Sequence, residues 1–270
     1  MINLKLKKNF FDFYNQNIYV IGGSGLIGSE IISDLIHYDA NVINLDIKNH
    51  KKKIISNHKN YKFIYTDISK QQKENFNFTQ LFQDYGDPNI LINCSYPRDE
   101  MWAKNNFIDI HDESFKKNVD LHLISYSLTA KNFANYMLKK KINGNILLFA
   151  SIYGFLGQDL SLYQNTKMKE NMTYSVIKGG IVNLVRQMSS FYGKYNIRVN
   201  AISPGGIYGH EAGKKNIQNK KFIENYSKKT PLNRLCYPNE VSKLALYIIS
   251  SKASYISGSN LIIDGGISIV

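Results

Sequence analysis

The chain has 270 residues, 43% of them hydrophobic, and a formal net charge of +13. This length suits one large α/β domain with a buried core rather than two domains of ordinary size. The basic residues are scattered instead of forming one stripe, and no apolar run approaches the ~20 residues that span a membrane, so nucleic-acid-binding and membrane-spanning classes are disfavoured. Two cysteines, Cys94 and Cys236, give no disulfide framework and no metal-ligand spacing, and no secretory signal is recognisable, so we expect a cytoplasmic protein without a metal.

Seven short apolar runs recur along the chain at intervals typical of βα units. A continuous apolar run indicates a strand that is buried on both faces of a parallel sheet. The predicted strands are 18–21, 42–45, 63–65, 90–92, 146–149, 199–202 and 261–263. Helical periodicity between them predicts helices over 26–37, 113–138, 175–192 and 239–250. The alternation predicts an α/β fold, a Rossmann-like, doubly wound parallel sheet of seven strands forming a single domain over 1–270.

Some segments fall outside this alternation. Residues 1–17 are predicted to be an N-terminal extension and residues 157–171 an insertion, while residues 96–112 and 206–237 lack a regular pattern. In a doubly wound sheet the loops beyond the carboxyl ends of the strands build the binding site. We therefore expect the substrate to bind at the last two segments, and we refer to 206–237 as the substrate loop.

The first predicted strand leads directly into a glycine-rich turn and then into an amphipathic helix. Glycines allow a tight turn and a close approach of the backbone to a pyrophosphate, and the helix N-terminus supplies free N–H groups. The position of the turn between a strand and a helix makes it a stronger signal than the glycines alone. The residues predicted to bind a dinucleotide here are Gly22, Gly23, Ser24, Gly25, Leu26, Ile27 and Gly28.

Two aspartates lie at the ends of the second and third predicted strands. Asp46 follows Gly28 by 18 residues, where a carboxylate accepts hydrogen bonds from ribose hydroxyls and repels a 2′-phosphate. No arginine lies in the glycine turn or just after Asp46, so we predict NAD(H) rather than NADP(H). Asp67, followed by Ile68, is expected either to contact the adenine edge or to cap the next helix.

Further stretches of the chain carry a resemblance to a known family. Beside the glycine turn they are LINCSYP, LLFASIYG, YSVIKGG, IRVNAISPGG, TPLNRL with a downstream NEV, and SYISGSNLIIDGG. Together they resemble the short, single-domain members of the short-chain dehydrogenase/reductase family along nearly the whole chain. The resemblance implies an NAD(P)-dependent oxidoreductase in which a serine, a tyrosine and a lysine act on a CH–OH group, assembled as a homodimer or homotetramer.

Two stretches fit the Tyr-x-x-x-Lys pattern of that family: Tyr163 with Lys167, and Tyr174 with Lys178. This spacing puts both side chains on one helical face, where an ammonium lowers the pKa of the phenol towards working pH. Tyr163 lies at the usual family separation from Ser151, but the sequence after Tyr174 runs unbroken into the next predicted strand, and small residues follow Lys178. We predict that Tyr174 and Lys178 are the catalytic pair and that Lys178 also holds the nicotinamide ribose.

The resemblance implies roles for residues elsewhere in the chain. Ser151, at the end of a predicted strand, would hold the reacting oxygen. Asn93 would support the cofactor and its strand. Pro204 and Gly205 would bend the chain around the nicotinamide, and the backbone N–H of Ile207 would bind the nicotinamide amide.

The family often has an asparagine of its proton relay on the long helix before the catalytic strand. In this sequence, Asp120-Leu-His122-Leu places His122 at that position. A neutral histidine also passes protons. We expect either a relay role for His122 or a merely packed histidine, with Asn118 as a nearby alternative.

Candidate substrate residues surround the same strand ends. They are Tyr96, Arg98 and Tyr153, with His210 and Lys214 as weaker candidates. A guanidinium suits bidentate contact with a carboxylate or phosphate, which makes an anionic substrate plausible, although a surface role for Arg98 fits equally well.

A narrower resemblance, to the flagellin modification protein A group of bacterial surface-sugar pathways, is carried by five stretches: SYPRD, SIYG, the insertion after Ser151, YSVIKGGI and SPGGI. This resemblance implies a small sugar or amino-sugar derivative as substrate, in the biosynthesis of sialic-acid-like flagellin glycans.

Two other functions stay open at this point. An extended-type nucleotide-sugar epimerase or dehydratase is favoured by the spacing of the glycine turn, but such enzymes need a further C-terminal substrate domain. A non-catalytic NAD(H)-binding regulator is left open by His122 in place of asparagine, but the intact serine, tyrosine and lysine set argues against it.

Overall fold

The computed structural model describes residues 10–71, 76–209 and 218–270. Its strands are β1 Asn17–Ile21, β2 Asn41–Asp46, β3 Tyr61–Tyr65, β4 Ile90–Asn93, β5 Asn145–Phe149, β6 Arg198–Pro204 and β7 Asn260–Ile263. They form one sheet in the order β3-β2-β1-β4-β5-β6-β7, with every neighbouring pair parallel. The carboxyl ends of all these strands therefore lie at the same edge. The predicted doubly wound, seven-stranded α/β fold is confirmed.

Helices cover both faces of the sheet. They are α1 Leu26–His37, α2 Lys53–Ser56, α3 Phe78–Tyr85, α4 Asp112–Asn118, α5 Ser125–Lys140, α6 Met172–Tyr192, α7 Lys220–Lys229 and α8 Pro238–Ile249. Because side chains alternate along a strand, β1 contributes Tyr19 and Ile21 to one apolar layer and Ile18 and Val20 to the other. Residues of α3, α5 and α6 complete the first layer, and residues of α1 and α8 complete the second.

The helix predicted over 113–138 is helical throughout but not uniform. α4 ends at Asn118, Val119–Ile124 forms a π-helical segment, and α5 follows directly. A π-helical segment carries more residues per turn than the α-helix around it. The prediction of one regular helix is therefore wrong in this middle stretch. The spacing of apolar residues does not show whether the backbone hydrogen bonds follow the α-helical or the π-helical pattern.

The substrate loop, predicted as irregular over 206–237, contains α7. The side chain of Asn219 caps this helix by accepting hydrogen bonds from two backbone N–H groups of its first turn. Tyr226 is buried in a small apolar cluster with Leu162 and Leu235. Since Leu162 belongs to the predicted insertion, α7 packs against that segment.

The predicted N-terminal extension is described from residue 10 onwards. Phe11 and Phe13 are buried and stack at a ring distance of 5.7 Å. The ring of Phe11 also meets that of Tyr38 edge to face at 5.3 Å. This part of the extension therefore belongs to the apolar layer formed by α1 and α8.

The aromatic cluster under α5 should dominate the stability of its layer. Phe133 is fully buried, and its ring lies 4.8 Å from that of Phe82 and 5.4 Å from that of Tyr19. We expect Phe133→Ala to lower the free energy of unfolding by about 3–5 kcal/mol, because it removes buried contacts and leaves a cavity. Urea denaturation followed by circular dichroism measures this loss. Phe107→Ala, at a side chain that is 68% exposed, should change stability by less than about 1 kcal/mol, and an equal loss in both variants would contradict the expectation.

Within the described residues, no helix combines the length and the apolar character needed to cross a bilayer. The same part of the chain holds no group of three or more histidine, cysteine, aspartate or glutamate side chains placed to bind a metal ion. Cys94 and Cys236 are free thiols. Burial raises the pKa of each thiol to about 12, so neither is a ready thiolate nucleophile at neutral pH.

Candidate active site

The glycine turn lies between β1 and α1, and its glycines are sterically required. A Cβ atom at Gly28 would stand 2.4 Å from the carbonyl oxygen of Gly22, and Gly22 has a φ of +75°. Among the residues that the structure describes, no side chain caps the N-terminus of α1, so the N–H groups of its first turn are available to an external acceptor. The close backbone packing and the uncapped helix end fit a dinucleotide pyrophosphate.

Asp46 lies beside this turn, at the end of β2. Its carboxylate accepts hydrogen bonds from the backbone N–H groups of Ser24, at 2.9 Å, and Lys48, at 3.2 Å. Asn44 supports the same corner by donating to the Ser24 hydroxyl at 3.0 Å. The carboxylate is thereby held at the turn, and its remaining lone pairs can accept hydrogen bonds from ribose hydroxyls.

Asp67 takes one of the two roles expected for it. Its carboxylate caps the short 3-10 helix Ile68–Lys70 by accepting from the Ser69 backbone N–H at 3.2 Å and from the Ser69 hydroxyl at 2.6 Å. Ile68 is buried at the start of this helix. Adenine contact by Asp67 and Ile68 stays a prediction.

Asn93 ends β4, next to the glycine turn in the sheet. Its side-chain oxygen accepts from the backbone N–H of Ser95 at 3.2 Å and from the Ser95 hydroxyl at 2.8 Å. The Asn93 Nδ2 group is buried and has no hydrogen-bond partner among the described residues. A buried donor of this kind is costly unless it is satisfied, which fits a polar group of a bound cofactor.

The turn after β6 is fixed from two sides. The backbone N–H of Gly205, the residue after Pro204, donates to the carbonyl of Ile263 on β7 at 2.9 Å. The N–H of Gly206 donates to the Tyr226 hydroxyl of α7 at 2.6 Å. Tyr226 thus joins the substrate loop to the turn expected at the nicotinamide.

Ile207 follows this turn and forms an isolated parallel bridge with Cys236. The two hydrogen bonds of the bridge use the carbonyl of Gly206 and the N–H of Tyr208. The N–H of Ile207 takes part in neither bond. The predicted contact between this N–H and the nicotinamide amide therefore stays compatible with the bridge.

Tyr174 and Lys178 lie one turn apart on α6. The side-chain oxygen of Asn171 caps this helix by accepting the N–H of Tyr174 at 2.8 Å. The rival pair lacks a common helix, because Tyr163 ends a short 3-10 helix and Lys167 lies outside any helix. Only Tyr174 and Lys178 therefore share one helical face, as the motif requires.

Lys178 is 3% exposed. Its ammonium donates to the carbonyl of Phe149 at 2.7 Å and lies 3.4 Å from Nε2 of His122. Burial lowers the pKa of Lys178 to about 7, because the charged form loses hydration that one carbonyl and one imidazole replace only in part.

The hydroxyl of Tyr174 does not show the lowered pKa that the sequence predicts. Burial raises its pKa, and a hydrogen bond with Ser151 opposes the rise. The Lys178 ammonium lies 5.6 Å from the centre of the Tyr174 ring and is itself largely desolvated. Burial therefore dominates over the expected attraction between the two charges. Ser151 is buried, and its hydroxyl oxygen accepts the backbone N–H of Tyr153 at 3.2 Å.

His122 lies in the π-helical segment and is fully buried. Burial, reinforced by the nearby Lys178, keeps the pKa of His122 well below its ordinary value. The imidazole is therefore neutral, and its Nε2 can accept a hydrogen bond from Lys178 while Nδ1 carries the proton. Asn118, the alternative to His122, instead donates to Asp99 at 2.8 Å. The structure thus brings His122 to the lysine.

The candidate substrate residues surround Tyr174. The ring of Tyr96 lies 5.9 Å from that of Tyr174, and the ring of Tyr153 lies 6.4 Å from it. The guanidinium carbon of Arg98 lies 5.5 Å from the centre of the Tyr96 ring, within range of a cation–π contact. His210 and Lys214 lie outside the described residues.

Sequence reasoning missed Trp102 as part of this site. Its ring lies 6.2 Å from that of Tyr174 and 5.7 Å from that of Tyr96, nearly perpendicular to both. The residue belongs to the irregular segment 96–112, and a lone aromatic in such a segment carries no spacing signal. Its proximity to the active site follows only from the fold.

The predicted insertion connects the two irregular segments. Gln158 holds it to the start of α6, because its side chain donates to the carbonyl of Asn171 at 2.8 Å and accepts from the Tyr163 hydroxyl at 3.0 Å. Ion pairs tie it to either side: Lys169 with Asp109 at 2.6 Å, and Asp159 with Lys229 of α7 at 3.1 Å. The insertion therefore joins the segment 96–112 and α7 to the start of α6.

Known proteins are similar to this chain over most of its length. A family model described as "Enoyl-(Acyl carrier protein) reductase" matches residues 24–268. The post-translational flagellin modification protein A of Campylobacter coli is 27% identical over 258 residues, which cover 93% of this chain and 98% of that protein. The L-rhamnose 1-dehydrogenase (NADP(+)) of Thermoplasma acidophilum is 25% identical over 264 residues, covering 94% and 97% of the two chains.

A solved structure resembles the whole chain. The short chain dehydrogenase from Leptospira borgpetersenii, with bound NAD+, superposes with a TM-score of 0.86 at 31% sequence identity. The superposition covers 100% of this chain and 98% of that chain. The matched length therefore includes the glycine turn and the helix that carries Tyr174.

Proposed function

Because this chain belongs to the short-chain dehydrogenase/reductase family, we propose that Tyr174, Lys178 and Ser151 interconvert a secondary alcohol and a ketone with NAD(H). The protein is an oxidoreductase that acts on CH–OH groups. One observation carries the residue assignment: Tyr174 and Lys178 share a face of α6, with Ser151 hydrogen-bonded to the tyrosine. The glycine turn and the uncapped start of α1 lie at the same edge of the sheet.

A bound nicotinamide supplies or accepts the hydride. In the reducing direction the Tyr174 hydroxyl donates its proton to the carbonyl oxygen, and in the oxidising direction the tyrosinate takes the hydroxyl proton. The Ser151 hydroxyl holds the same oxygen by a hydrogen bond. Lys178 stabilises the tyrosinate by its charge, and His122 accepts a hydrogen bond from Lys178 and keeps the ammonium in place.

The glycine turn and the uncapped start of α1 would hold the pyrophosphate. Asp46 would hold the adenosine ribose, Asp67 and Ile68 the adenine, and Asn93 the central part of the dinucleotide. The turn from Pro204 to Ile207, with Lys178, would hold the nicotinamide riboside. These contacts fit the uncapped amides and the buried, unpartnered Asn93 Nδ2 group.

The preference for NAD(H) over NADP(H) depends on Asp46. A carboxylate held by Ser24 and Lys48 repels a 2′-phosphate. We expect wild type to bind NADH at least roughly 10-fold more tightly than NADPH, and Asp46→Ala to reduce this ratio to about one. Calorimetric titration of both cofactors measures the two affinities. Asp67→Ala is the matched control: it removes a carboxylate at the next strand end, and loss of an adenine contact should weaken both cofactors alike and leave the ratio unchanged. NADPH preference in wild type would refute the assignment.

A sugar or amino-sugar derivative is the substrate class we propose, as an intermediate of flagellin or surface-glycan biosynthesis. The similarity to flagellin modification protein A and to an L-rhamnose dehydrogenase supports it. Arg98, close to Tyr96 at the site, suits an anionic group on that substrate. NADH consumption with neutral and anionic keto-sugars tests the class, and activity confined to compounds that are not sugars would overturn it.

Self-association follows from the same proposal, as a homodimer or homotetramer. Val176 and Phe191 on α6 are 45% and 51% exposed, and Ile124 at the end of the π-helical segment is 38% exposed. Apolar side chains on long helices are commonly covered by a second copy of the chain. We expect sedimentation velocity to show a dimer or larger species and Phe191→Asp to shift it towards monomer. A monomeric wild type would contradict this expectation.

A further inference from the structure

Trp102 is the single tryptophan of the chain and lies between β4 and α4, beside the catalytic tyrosine. Its ring stands at 87° to the ring of Tyr174 and at 83° to that of Tyr96, so it contacts both edge to face. The indole is partly exposed. Trp102 therefore keeps part of its surface accessible, and its ring lies close to the ring of Tyr174.

A buried polar cluster holds the start of the segment that carries Trp102. The carboxylate of Asp99 accepts from Nδ2 of Asn118 at 2.8 Å, from the Ser114 hydroxyl at 2.9 Å and from the backbone N–H of Met101 at 3.1 Å. The backbone N–H of Asp99 in turn donates to Oδ1 of Asn118 at 2.9 Å. A buried carboxylate is stable only when its hydrogen bonds are made, so these bonds hold the segment firmly to α4.

A second set of bonds joins the same segment to the helix of the catalytic tyrosine. Nδ2 of Asn171 donates to the carbonyl of Trp102 at 2.9 Å, and the N–H of Met172 donates to the carbonyl of Asn105 at 2.8 Å. Asn171 is also the residue whose side-chain oxygen caps α6 at Tyr174. One side chain therefore fixes Trp102 and Tyr174 relative to each other.

We propose that Trp102 determines substrate specificity by stacking against the apolar C–H face of a cyclic sugar or cyclic polyol. This inference rests on the proposed function and names the part of the substrate that the site recognises. The face of an indole is electron-rich and attracts the weakly positive C–H groups of such a ring. Asp99 and Asn118 are positioning residues, which act on the substrate through Trp102.

Kinetics on two classes of substrate test the inference. The cyclic probes are 2-hydroxycyclohexanone and a keto-pyranoside, and the acyclic probes are hydroxyacetone and dihydroxyacetone. We expect Trp102→Ala to raise KM for the cyclic probes roughly 10-fold while kcat and NADH affinity change little, and Trp102→Phe to restore part of the loss. KM for the acyclic probes should stay within about two-fold of wild type. An equal rise for both classes, or unchanged KM for the cyclic probes, overturns the inference and leaves the proposed reaction intact.

A binding measurement separates this inference from the proposed reaction. Trp102 is the single tryptophan, so the protein's tryptophan fluorescence reports on it directly. The NAD+ complex of Tyr174→Phe should bind the probes without turning them over. We expect a saturable change in emission with the cyclic probes and none with hydroxyacetone. If the emission does not change with the cyclic probes, the inference is overturned, whether or not wild type is active. Absence of nicotinamide binding and of turnover with every probe overturns the proposed function instead.

The positioning residues are tested by comparing neighbouring variants. We expect Asn118→Ala to lower the fluorescence anisotropy of Trp102 and to raise KM for the cyclic probes about three-fold or more, with kcat unchanged. Asp99→Asn keeps an acceptor for Asn118 and Met101 and should retain most of the wild-type values. Glu100→Ala, at a side chain that is 79% exposed, is the matched control. Wild-type anisotropy and KM in Asn118→Ala would overturn the positioning role.

Discussion

Tyr174→Phe is expected to lower turnover by roughly 10²–10⁴-fold, the range that general acid–base catalysis contributes. The variant keeps the aromatic ring that contacts Tyr96 and Trp102 and removes only the hydroxyl that transfers the proton. The affinity for NADH should therefore stay within a few fold of wild type. Steady-state NADH oxidation with an active keto-sugar, together with calorimetric titration of NADH, measures both quantities.

Tyr163→Phe provides the comparison for this result, because Tyr163 begins the other Tyr-x-x-x-Lys stretch. Its hydroxyl donates to Gln158 within the insertion, so its loss should loosen that segment without removing a proton donor. We expect a much smaller fall in kcat than in Tyr174→Phe. The reverse pattern, with activity lost in Tyr163→Phe and kept in Tyr174→Phe, would move the catalytic centre to the first stretch.

Lys178→Met is expected to change the pH dependence of stability as well as activity. The pKa of Lys178 is about 7 in the folded chain and about 10.4 in an unfolded chain. Between these values the unfolded chain binds more protons at this residue than the folded chain does, so the stability of wild type rises with pH relative to the variant. The difference in unfolding free energy should change by about 1.4 kcal/mol per pH unit from pH 7 to pH 10 and level off below pH 7.

Urea denaturation of wild type and Lys178→Met without cofactor, at pH 6, 7.5 and 9, measures this slope. The same variant should lose at least roughly 10²-fold in turnover, because the tyrosinate loses its stabilising charge. Lys167→Met, at the exposed lysine of the first stretch, should show neither effect. A stability difference independent of pH would mean that Lys178 titrates near the ordinary lysine value.

The sheet and the dinucleotide turn were predictable from sequence because their signals are local. A strand such as Ile90–Asn93, buried on both faces, requires a continuous apolar run, and the turn requires glycine at Gly22 and Gly28 where a Cβ atom would collide with backbone. The placement of Tyr174 and Lys178 on one helical face was predictable for the same reason, since four residues of spacing and one helix define the geometry. Their cofactor and catalytic roles stay predictions until the variants are measured.

Features that depend on distant parts of the chain were not predictable. Trp102 reaches the site because Asn118 bonds Asp99, at the start of the segment that carries Trp102. The two residues are 19 positions apart, and no spacing rule links residues at that separation. The raised pKa of Tyr174 has a similar origin, because the degree of burial depends on how Tyr96, Tyr153 and Trp102 pack around it. Sequence shows which residue types are present, whereas desolvation depends on the assembled fold.

The π-helical segment sets the rotational phase between two halves of one long helix. Each residue of an α-helix advances about 100° around the axis. Before the wider turn at Val119–Ile124, Asn118 meets Asp99. Within the turn, His122 reaches Lys178. After it, Tyr126 and Phe133 enter the apolar core. If this segment were regular α-helix with all its residues kept, one half would be rotated by about 100° against the other, because a π-turn takes up one more residue than an α-turn. That rotation would separate the site from the core that supports it, although every residue stayed in the sequence.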